Sequence, residues 1–247
     1  MDRLIYVAMT GAKATLDQQA SVAHNLANVS TTGFRAELSA FRAVPVQGEG
    51  GATRTFVVDA TTGADFAPGA VQHTGRDLDI AVQGKGWIAV QAADGTEAYT
   101  RAGNLRLSPN NELVTASGNA VLGDGGPVAI PSDTRITIGG DGTVSTVPTD
   151  NRVSQNSTVG RIKLVNPPEG ELERGGDGLF RLRGGGAAPV DDTVRLVSGA
   201  VESSNVNPVE CMVSMITLSR QFDMQMKLLQ NAESNSRQAS QLLGINS

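Results

Sequence analysis

Residues 205–243 read NVNPVECMVSMITLSRQFDMQMKLLQNAESNSRQASQLL, and this stretch decides the fold. Asn207 suits a helix N-cap, Pro208 suits the first helical position, and Gly244 suits a left-handed stop. Between them, small or apolar residues recur at steps of three and four, as in a coiled-coil seam. The stretch therefore predicts one long helix whose seam consists of Val209, Met212, Ile216, Ser219, Phe222, Met226, Leu229, Ala232, Ser236, Ala239 and Leu243.

The opposite face of this predicted helix is polar but nearly uncharged, as Gln221, Gln230 and Ser234 illustrate. A helix surrounded by water usually carries more Lys and Glu. The face therefore favours packing against other protein on several sides. The alternative is an ordinary helix on one globular core.

Composition excludes several classes of function. The chain has 247 residues, enough for two modest domains or one large one, and its net charge of −5 gives no basic footprint for nucleic acid. Cys211 is the only cysteine, so an intrachain disulfide is excluded. No apolar run approaches the ~18 residues of a membrane span. The apolar patch at residues 4–9 is too short for a cleaved signal peptide.

The first 28 residues predict a second helix. Small and apolar residues recur there at helical spacing, namely Ile5, Ala8, Ala12, Leu16, Gln19, Ala23 and Leu26. The stripe is weak, and Gly11 costs about 1 kcal/mol relative to Ala. Because such a helix is marginal alone, we expect it to pair with the C-terminal helix.

Between residues 36 and 200 the pattern is that of β-strands. β-branched residues cluster between glycines, for example at 77–90 and 134–138. Tight turns that need a positive φ are predicted at four Asp-Gly pairs, at 94–95, 124–125, 141–142 and 177–178.

Two motifs at opposite ends of the chain resemble those of the bacterial flagellar rod and hook family. The first is Asn25-Leu26-Ala27-Asn28 with Thr32-Gly33-Phe34, although His24 stands where the family usually has Asn. The second, residues 199–210, is similar to the family's approach to its C-terminal helix. Within the flagellar basal-body rod proteins, the length and both chain ends resemble the proximal rod proteins most and the distal ones next.

Pattern and resemblance together predict a mainly β fold with long terminal α-helices. The N- and C-terminal helices are expected to pair as a coiled coil, with a central β domain of hairpins. The expected division is an N-terminal helix at 1–33, an extended connecting arm at 34–75, a β domain at 76–190, a connecting segment at 191–206 and a C-terminal helix at 207–247.

The resemblance implies a structural subunit of the basal-body rod. Its terminal helices would assemble into a tubular drive shaft that transmits torque and allows export. The implied partners are further copies, other proximal and distal rod proteins and the flagellar type III export machinery. The implied location is the basal body across the periplasm, reached without a cleaved signal peptide. The expected assembly interface consists of Ile5, Ala12, Leu16, Asn25, Leu26, Asn28, Thr32, Gly33, Phe34, Asn205, Val206, Asn207, Met212, Ile216, Phe222, Met226 and Leu229.

The sequence offers no convincing catalytic, cofactor or metal site. His24 and His73 lie in different predicted regions, and Asp191-Asp192 suits a solvated turn better than a pair of catalytic carboxylates. The Gly-rich runs lack the Lys-Ser/Thr of a phosphate loop. We therefore expect no enzyme activity, no cofactor and no metal. The alternative is a carbohydrate- or peptidoglycan-binding or hydrolytic β domain on a coiled-coil stalk.

Overall fold

The computed structural model describes residues 2–45, 55–132, 134–148 and 157–244. Two α-helices lie near the chain ends, α1 (Asp2–Ala27) and α2 (Pro208–Gly244), and a 3₁₀ turn covers Glu169–Glu171. The strands in the described ranges are β1 (Glu37–Pro45), β2 (Thr55–Ala64), β3 (Val71–His73), β4 (Ile80–Gln83), β5 (Trp87–Gln91), β6 (Glu97–Thr100), β7 (Leu105–Leu107), β8 (Leu113–Thr115), β9 (Ala120–Gly123), β10 (Gly126–Pro127), β11 (Thr134–Ile138), β12 (Thr143–Pro148), β13 (Ser157–Arg161), β14 (Leu164–Val165), β15 (Leu172–Arg174), β16 (Phe180–Leu182), β17 (Arg195–Ser198) and β18 (Ala200–Glu202).

The chain divides into two compact units. We call the described residues within Met1–Asn28, Glu37–Ala64 and Val206–Ser247 the helical unit. The β unit comprises those within Val29–Ala36 and Asp65–Asn205. Each unit is therefore built from segments that are distant in sequence.

Antiparallel sheets make up the β unit. The largest sheet has the strand order β15-β16-β6-β5-β9-β8-β7, with β10 beside β9 and β14 beside β5. Strands β11, β12 and β13 form a second sheet, while β17 pairs with β4 and β18 pairs with β3. Strand β5 is buried along most of its length because it pairs with β6, β9 and β14.

A continuous apolar core fills the β unit. Its side chains come from strands that are far apart in sequence, so the core closes only when the sheets are complete. Fully buried members include Ile80, Ile88, Val90, Leu105, Leu113, Val121 and Val144. Burial of each large aliphatic side chain contributes about 1.5–3 kcal/mol, which makes this core the main stabilising feature of the unit.

Three of the four predicted Asp-Gly turns are confirmed. Gly95, Gly142 and Gly178 have φ values of 82°, 87° and 80°. At the fourth site the positive φ lies one residue later, at Gly126, where φ is 119°. The third residue of the Asp-Gly-Gly run therefore supplies the left-handed conformation that the sequence assigned to Gly125.

The helical unit contains α1, α2 and a two-stranded hairpin. Strands β1 and β2 pair antiparallel from Glu37↔Ala64 to Pro45↔Thr55, with a register shift between Ala40 and Phe41. The segment that the sequence indicated as an extended arm thus includes paired strands. Both strands and both helices contribute to the packing of this unit.

The predicted coiled coil is wrong. The two helices contact each other, but the buried face of α1 is made of small and polar residues, Ala8, Ala12 and Thr15. The predicted seam residues Met212 and Ile216 are instead 54% and 56% exposed. Because Met212 and Ile216 face outward, the predicted seam is not what joins the helices, and the fold is mainly β with two helices.

Candidate assembly surface

Helices α1 and α2 approach closely because residues at their contact are small. A Cβ atom placed on Gly11 would lie only 3.2 Å from the Gln225 amide nitrogen. The Thr15 hydroxyl donates a hydrogen bond of 2.9 Å to the Gly11 carbonyl of its own helix. Gly11 and Gln225 meet in this contact, while several large apolar side chains of both helices, such as Met9 and Ile216, face outward.

The first part of α2 presents an exposed apolar face, which we call patch A. It consists of Val209, Met212, Val213 and Ile216, with exposures of 68%, 54%, 59% and 56%. Their spacing of three and four residues places them on one side of the helix. Few globular surfaces leave four large apolar side chains in contact with water, so the face has the character of an interaction site.

A second exposed apolar group, patch B, lies further along the helices. It comprises Met224 and Leu228, which share one side of α2, Met226 on the opposite side of that helix, and Tyr6 and Met9 of α1. The two helices run antiparallel, since Gly11 lies against Gln225 while Val22 lines a groove with Ser214. The start of α1 and the middle of α2 are therefore at the same level.

A groove of about 330 Å³ adjoins patch A. Gln18 and Val22 of α1 form one side, and Val213, Thr217 and Leu218 of α2 form the other. Ser39 of β1 also lines it. Val213 belongs to both features, so the groove and patch A form one continuous surface.

The predicted interface residues of the two helices divide by exposure. Leu16, Met212, Ile216 and Met226 are exposed, and Ala12 is buried. The half-buried positions are Ile5, Leu26, Phe222 and Leu229. The exposed residues can contact another chain directly, whereas the others first support the helical unit.

Asn25 joins the end of α1 to the β1–β2 hairpin. Its Nδ2 donates to the Glu37 carbonyl at 2.9 Å, and its Oδ1 accepts from the Glu37 N–H at 2.7 Å. The side chain thus replaces one rung of a strand ladder. Nearby, the Asn28 Nδ2 donates to the His24 carbonyl at 2.9 Å, and His24 Nδ1 lies 3.0 Å from Glu37 Oε2.

Thr32, Gly33 and Phe34 follow α1 and belong to the β unit. Gly33 has φ 68°, and an added Cβ would lie 2.3 Å from the Arg101 carbonyl carbon. Thr32 is half-buried, while Phe34 is buried with the Arg174 guanidinium 4.5 Å from its ring centroid. The motif is therefore shaped by contacts inside the subunit.

Three residues before α2 complete the predicted set. Asn205 Oδ1 accepts from the Ala36 N–H at 2.7 Å, and its Nδ2 donates to the carbonyls of Asp65 and Ala67. Val206 is buried. The predicted N-cap is confirmed, because Asn207 Oδ1 accepts from the N–H groups of Val209 and Glu210 at 3.1 and 3.4 Å.

Sequence reasoning missed a buried charge cluster in the β unit. Arg35 Nη2 donates to Glu202 Oε1 at 2.6 Å, and Arg101 Nη1 donates to Glu202 Oε2 at 3.0 Å. Burial lowers the pKa of Arg101, the Glu202 charge raises it, and the Arg35 charge lowers it again. Glu202 thereby holds the segment after α1 and the β6–β7 connection to strand β18. The sequence carried one signal for this cluster: Arg35 directly follows the N-terminal motif, and Glu202 lies within the C-terminal motif.

Trp87 offers no open ring face beside this cluster. It is 4% exposed, with the Arg101 guanidinium 5.3 Å and the Phe180 ring 4.7 Å from its centroid. A sugar would need an accessible aromatic face, so the predicted carbohydrate alternative gains no support from this residue. Within the described ranges, no three His, Cys, Asp or Glu side chains are grouped to hold a metal. No helix there is long and apolar enough to cross a bilayer.

Comparison with known proteins identifies the family. The chain is 47% identical to the flagellar basal-body rod protein FlgF of Salmonella typhimurium over 99% of its length and 100% of that protein. The Escherichia coli FlgF gives the same identity and coverage. This chain belongs to the flagellar basal-body rod proteins. The predicted family and the predicted function as a structural rod protein of the basal body are confirmed.

Three family models match this rod protein in separate segments. Residues 5–35 match a flagella basal body rod protein model, and residues 197–242 match the C-terminal region of the basal body rod FlgEFG proteins. Residues 81–146 match the D1 domain of the hook protein FlgE/F/G family. The FlgG rod protein of Bacillus subtilis is 31% identical over 94% of this chain and 96% of its own length. The terminal matches cover most of α1 and most of α2.

Proposed function

We propose that this rod protein is a subunit of the proximal rod. It assembles through its terminal helices into the tubular shaft that transmits torque and leaves a path for export. It crosses the periplasm within the basal body and reaches its place through the flagellar type III export machinery. Its neighbours are further copies and the other proximal and distal rod proteins, and its role is mechanical and not catalytic.

The exposed apolar side chains of α1 and α2 carry this proposal. A helix on an isolated globular domain buries its apolar side, since each buried aliphatic side chain contributes about 1.5–3 kcal/mol. In α2, Val209 and Ile216 are more than half exposed. Burial against neighbouring subunits would recover that free energy and drive assembly.

Under this proposal the predicted interface residues have one of two roles. Leu16, Met212, Ile216 and Met226 would contact neighbours directly. Asn25, Asn28 and Asn207 would act indirectly, by fixing the ends of the helices from which those side chains project. The two groups should therefore differ when substituted, in the stability of the subunit and in its incorporation into the rod.

The test is incorporation of an Ile216→Asp variant into basal bodies. A cell that makes only this variant is expected to yield basal bodies depleted of it, because an ionised carboxylate cannot be buried there unpaired. The matched control is Gln221→Asp, which adds the same charge at an exposed position on the side of α2 away from Met212 and Ile216. Normal amounts of Ile216→Asp protein in purified rods would contradict the proposal.

A further inference from the structure

The β unit contains a cleft of about 410 Å³. The cleft is lined by residues 65–68 and 84–87, by Arg101, and by three residues of the segment 166–169. All of these residues belong to the β unit. Ligand sites in proteins commonly have volumes of about 300–1,000 Å³, so the cleft can hold a small organic molecule.

The buried part of the lining, which we call the floor, is positively charged. It includes Trp87, Arg101 and Pro167, all of them buried. Arg101 shares the single carboxylate of Glu202 with Arg35. Two guanidinium groups and one carboxylate leave one positive charge in excess, and a buried charge without full compensation is costly.

The excess charge at the floor is not offset by other groups of the described residues. Arg101 donates to the carbonyls of Val82 and Gly84, but these acceptors are neutral. Within the described ranges, Arg101 Nε and the Arg35 atoms Nε and Nη1 are buried without a hydrogen-bond partner. A negative group in the cleft beside Arg101 would therefore be attracted by the uncompensated charge.

The exposed part of the lining, which we call the rim, is acidic. Lys85 Nζ lies 3.4 Å from Glu169 Oε1, so these two charges cancel. The half-buried Asp65 supplies one further negative charge, and its Oδ1 accepts a hydrogen bond from the Ala67 N–H at 2.9 Å. The cleft thus combines a positive floor with a negative rim.

An aromatic side chain between these charges gives the cleft an apolar wall. Phe66 is half-buried, and its ring centroid lies 6.0 Å from that of Trp87 and 5.6 Å from that of Phe180. These ring contacts hold Phe66 in place. Its remaining exposed surface is available to an apolar group of a ligand.

We propose that this cleft binds a small zwitterion, namely an α-amino acid or short peptide with an apolar side chain. The ligand carboxylate lies beside Arg101, its ammonium group faces Asp65, and its apolar side chain packs against Phe66. A simple anion would be repelled by the rim and a simple cation by the floor, so a molecule with both charges fits best. The site is independent of the proposed rod function.

Titration of the full chain with four probes tests this inference. Trp87 lines the cleft and is the only tryptophan, so its fluorescence reports binding, and calorimetry provides a second measurement. L-Phenylalanine and glycyl-L-phenylalanine carry both charges and should bind with a Kd of about 1 mM, as expected for such small ligands. L-Phenylalaninamide lacks the carboxylate and N-acetyl-L-phenylalanine lacks the ammonium group, so each should bind about two- to fivefold more weakly.

A substitution at the rim should affect only the probes that carry an ammonium group. Asp65→Asn keeps the oxygen that accepts from Ala67 but removes the charge, so it should weaken L-phenylalanine binding about two- to fivefold. It should not weaken binding of N-acetyl-L-phenylalanine. The matched control is Asp77→Asn, which removes an exposed carboxylate of the β unit outside the cleft and should leave binding unchanged.

The two zwitterionic probes distinguish the sources of the ligand. Tighter binding of the dipeptide would indicate a peptide, and tighter binding of L-phenylalanine would indicate a free amino acid. Three results would overturn the inference: no binding of either zwitterion by fluorescence and calorimetry, equal binding of the amide and acetyl probes with L-phenylalanine, or equal weakening by Asp65→Asn and Asp77→Asn. None of them would bear on incorporation into the rod.

Discussion

The β unit and the helical unit bury apolar surface in opposite ways. The β unit encloses Ile88, Leu105 and Val121 completely. The helical unit leaves Val209 and Ile216 more than half exposed, and its buried helix contact relies on small residues such as Ala8. The β unit is thus complete within the chain, and the exposed apolar residues of the helical unit are the basis for our proposal that neighbouring subunits complete it.

Charge shows the same contrast. The β unit buries Arg35, Arg101 and Glu202 together and uses them to tie its segments. The helical unit keeps Asp17, Lys13 and Lys227 at its surface. Buried charges fix an internal structure, whereas surface charges remain available to another chain.

The largest expected effect is that of Glu202→Ala on the β unit. The change leaves two buried guanidinium groups without their shared carboxylate, which should cost about 3–5 kcal/mol of unfolding free energy. Urea unfolding followed by fluorescence of Trp87 measures it, since Trp87 is the only tryptophan and lies beside Arg101. The matched control is Glu169→Ala, whose ion pair with Lys85 is exposed. Equal losses in the two variants would refute the role of the buried cluster.

Substitution of each of two asparagines should destabilise one unit and not the other. Asn25→Ala removes both side-chain bonds to Glu37 and should destabilise the helical unit by about 1–3 kcal/mol, measured by the helical signal in circular dichroism. Asn205→Ala removes bonds to Ala36 and the Asp65 carbonyl, so it should shift the Trp87 signal instead. If both variants shift both signals equally, the two units are not independent in stability.

A smaller effect is expected at the start of α2. Asn207→Ala should cost about 1 kcal/mol, because two N–H groups lose their cap. Asn207→Ser keeps a capping oxygen and should retain most of the stability. Circular dichroism during thermal unfolding compares the two, and an equal loss in both variants would argue against the capping role.

The smallest effect on stability is expected for Met212→Asp in patch A. The side chain is exposed, so the free energy of unfolding should change by less than about 0.5 kcal/mol. Incorporation into rods should nevertheless fall strongly. A large loss of stability would mean that patch A supports the subunit itself, and the contrast between the units would fail.

Helix ends and tight turns could be predicted from the sequence because each depends on residues that are close together in the chain. Asn207 and Pro208 mark the start of α2, and Asp-Gly pairs place positive φ at Gly95, Gly142 and Gly178. Each feature is decided by a few adjacent residues. The family motif was readable for a similar reason, since it is a short and specific arrangement.

Contacts between residues that are far apart in sequence could not be predicted in this way. The seam through Met212 and Ile216 has helical spacing whether it faces a partner helix or solvent, so periodicity alone gave the wrong helix contact. The cluster of Arg35, Arg101 and Glu202 joins residues up to 167 positions apart. Only the topology of strand β18 against β3, and of the segment after α1, brings them together.

Protection of patch A inside assembled rods tests the central claim most directly. A cysteine introduced by Ile216→Cys, in a Cys211→Ser background, can be labelled with a maleimide in the free chain and in purified basal bodies. The same basal bodies after denaturation give the total of reactive thiol. We predict rapid labelling of the free chain and little labelling of intact rods. Equal labelling of free and assembled chains would contradict the claim that neighbouring subunits cover the apolar helix surface.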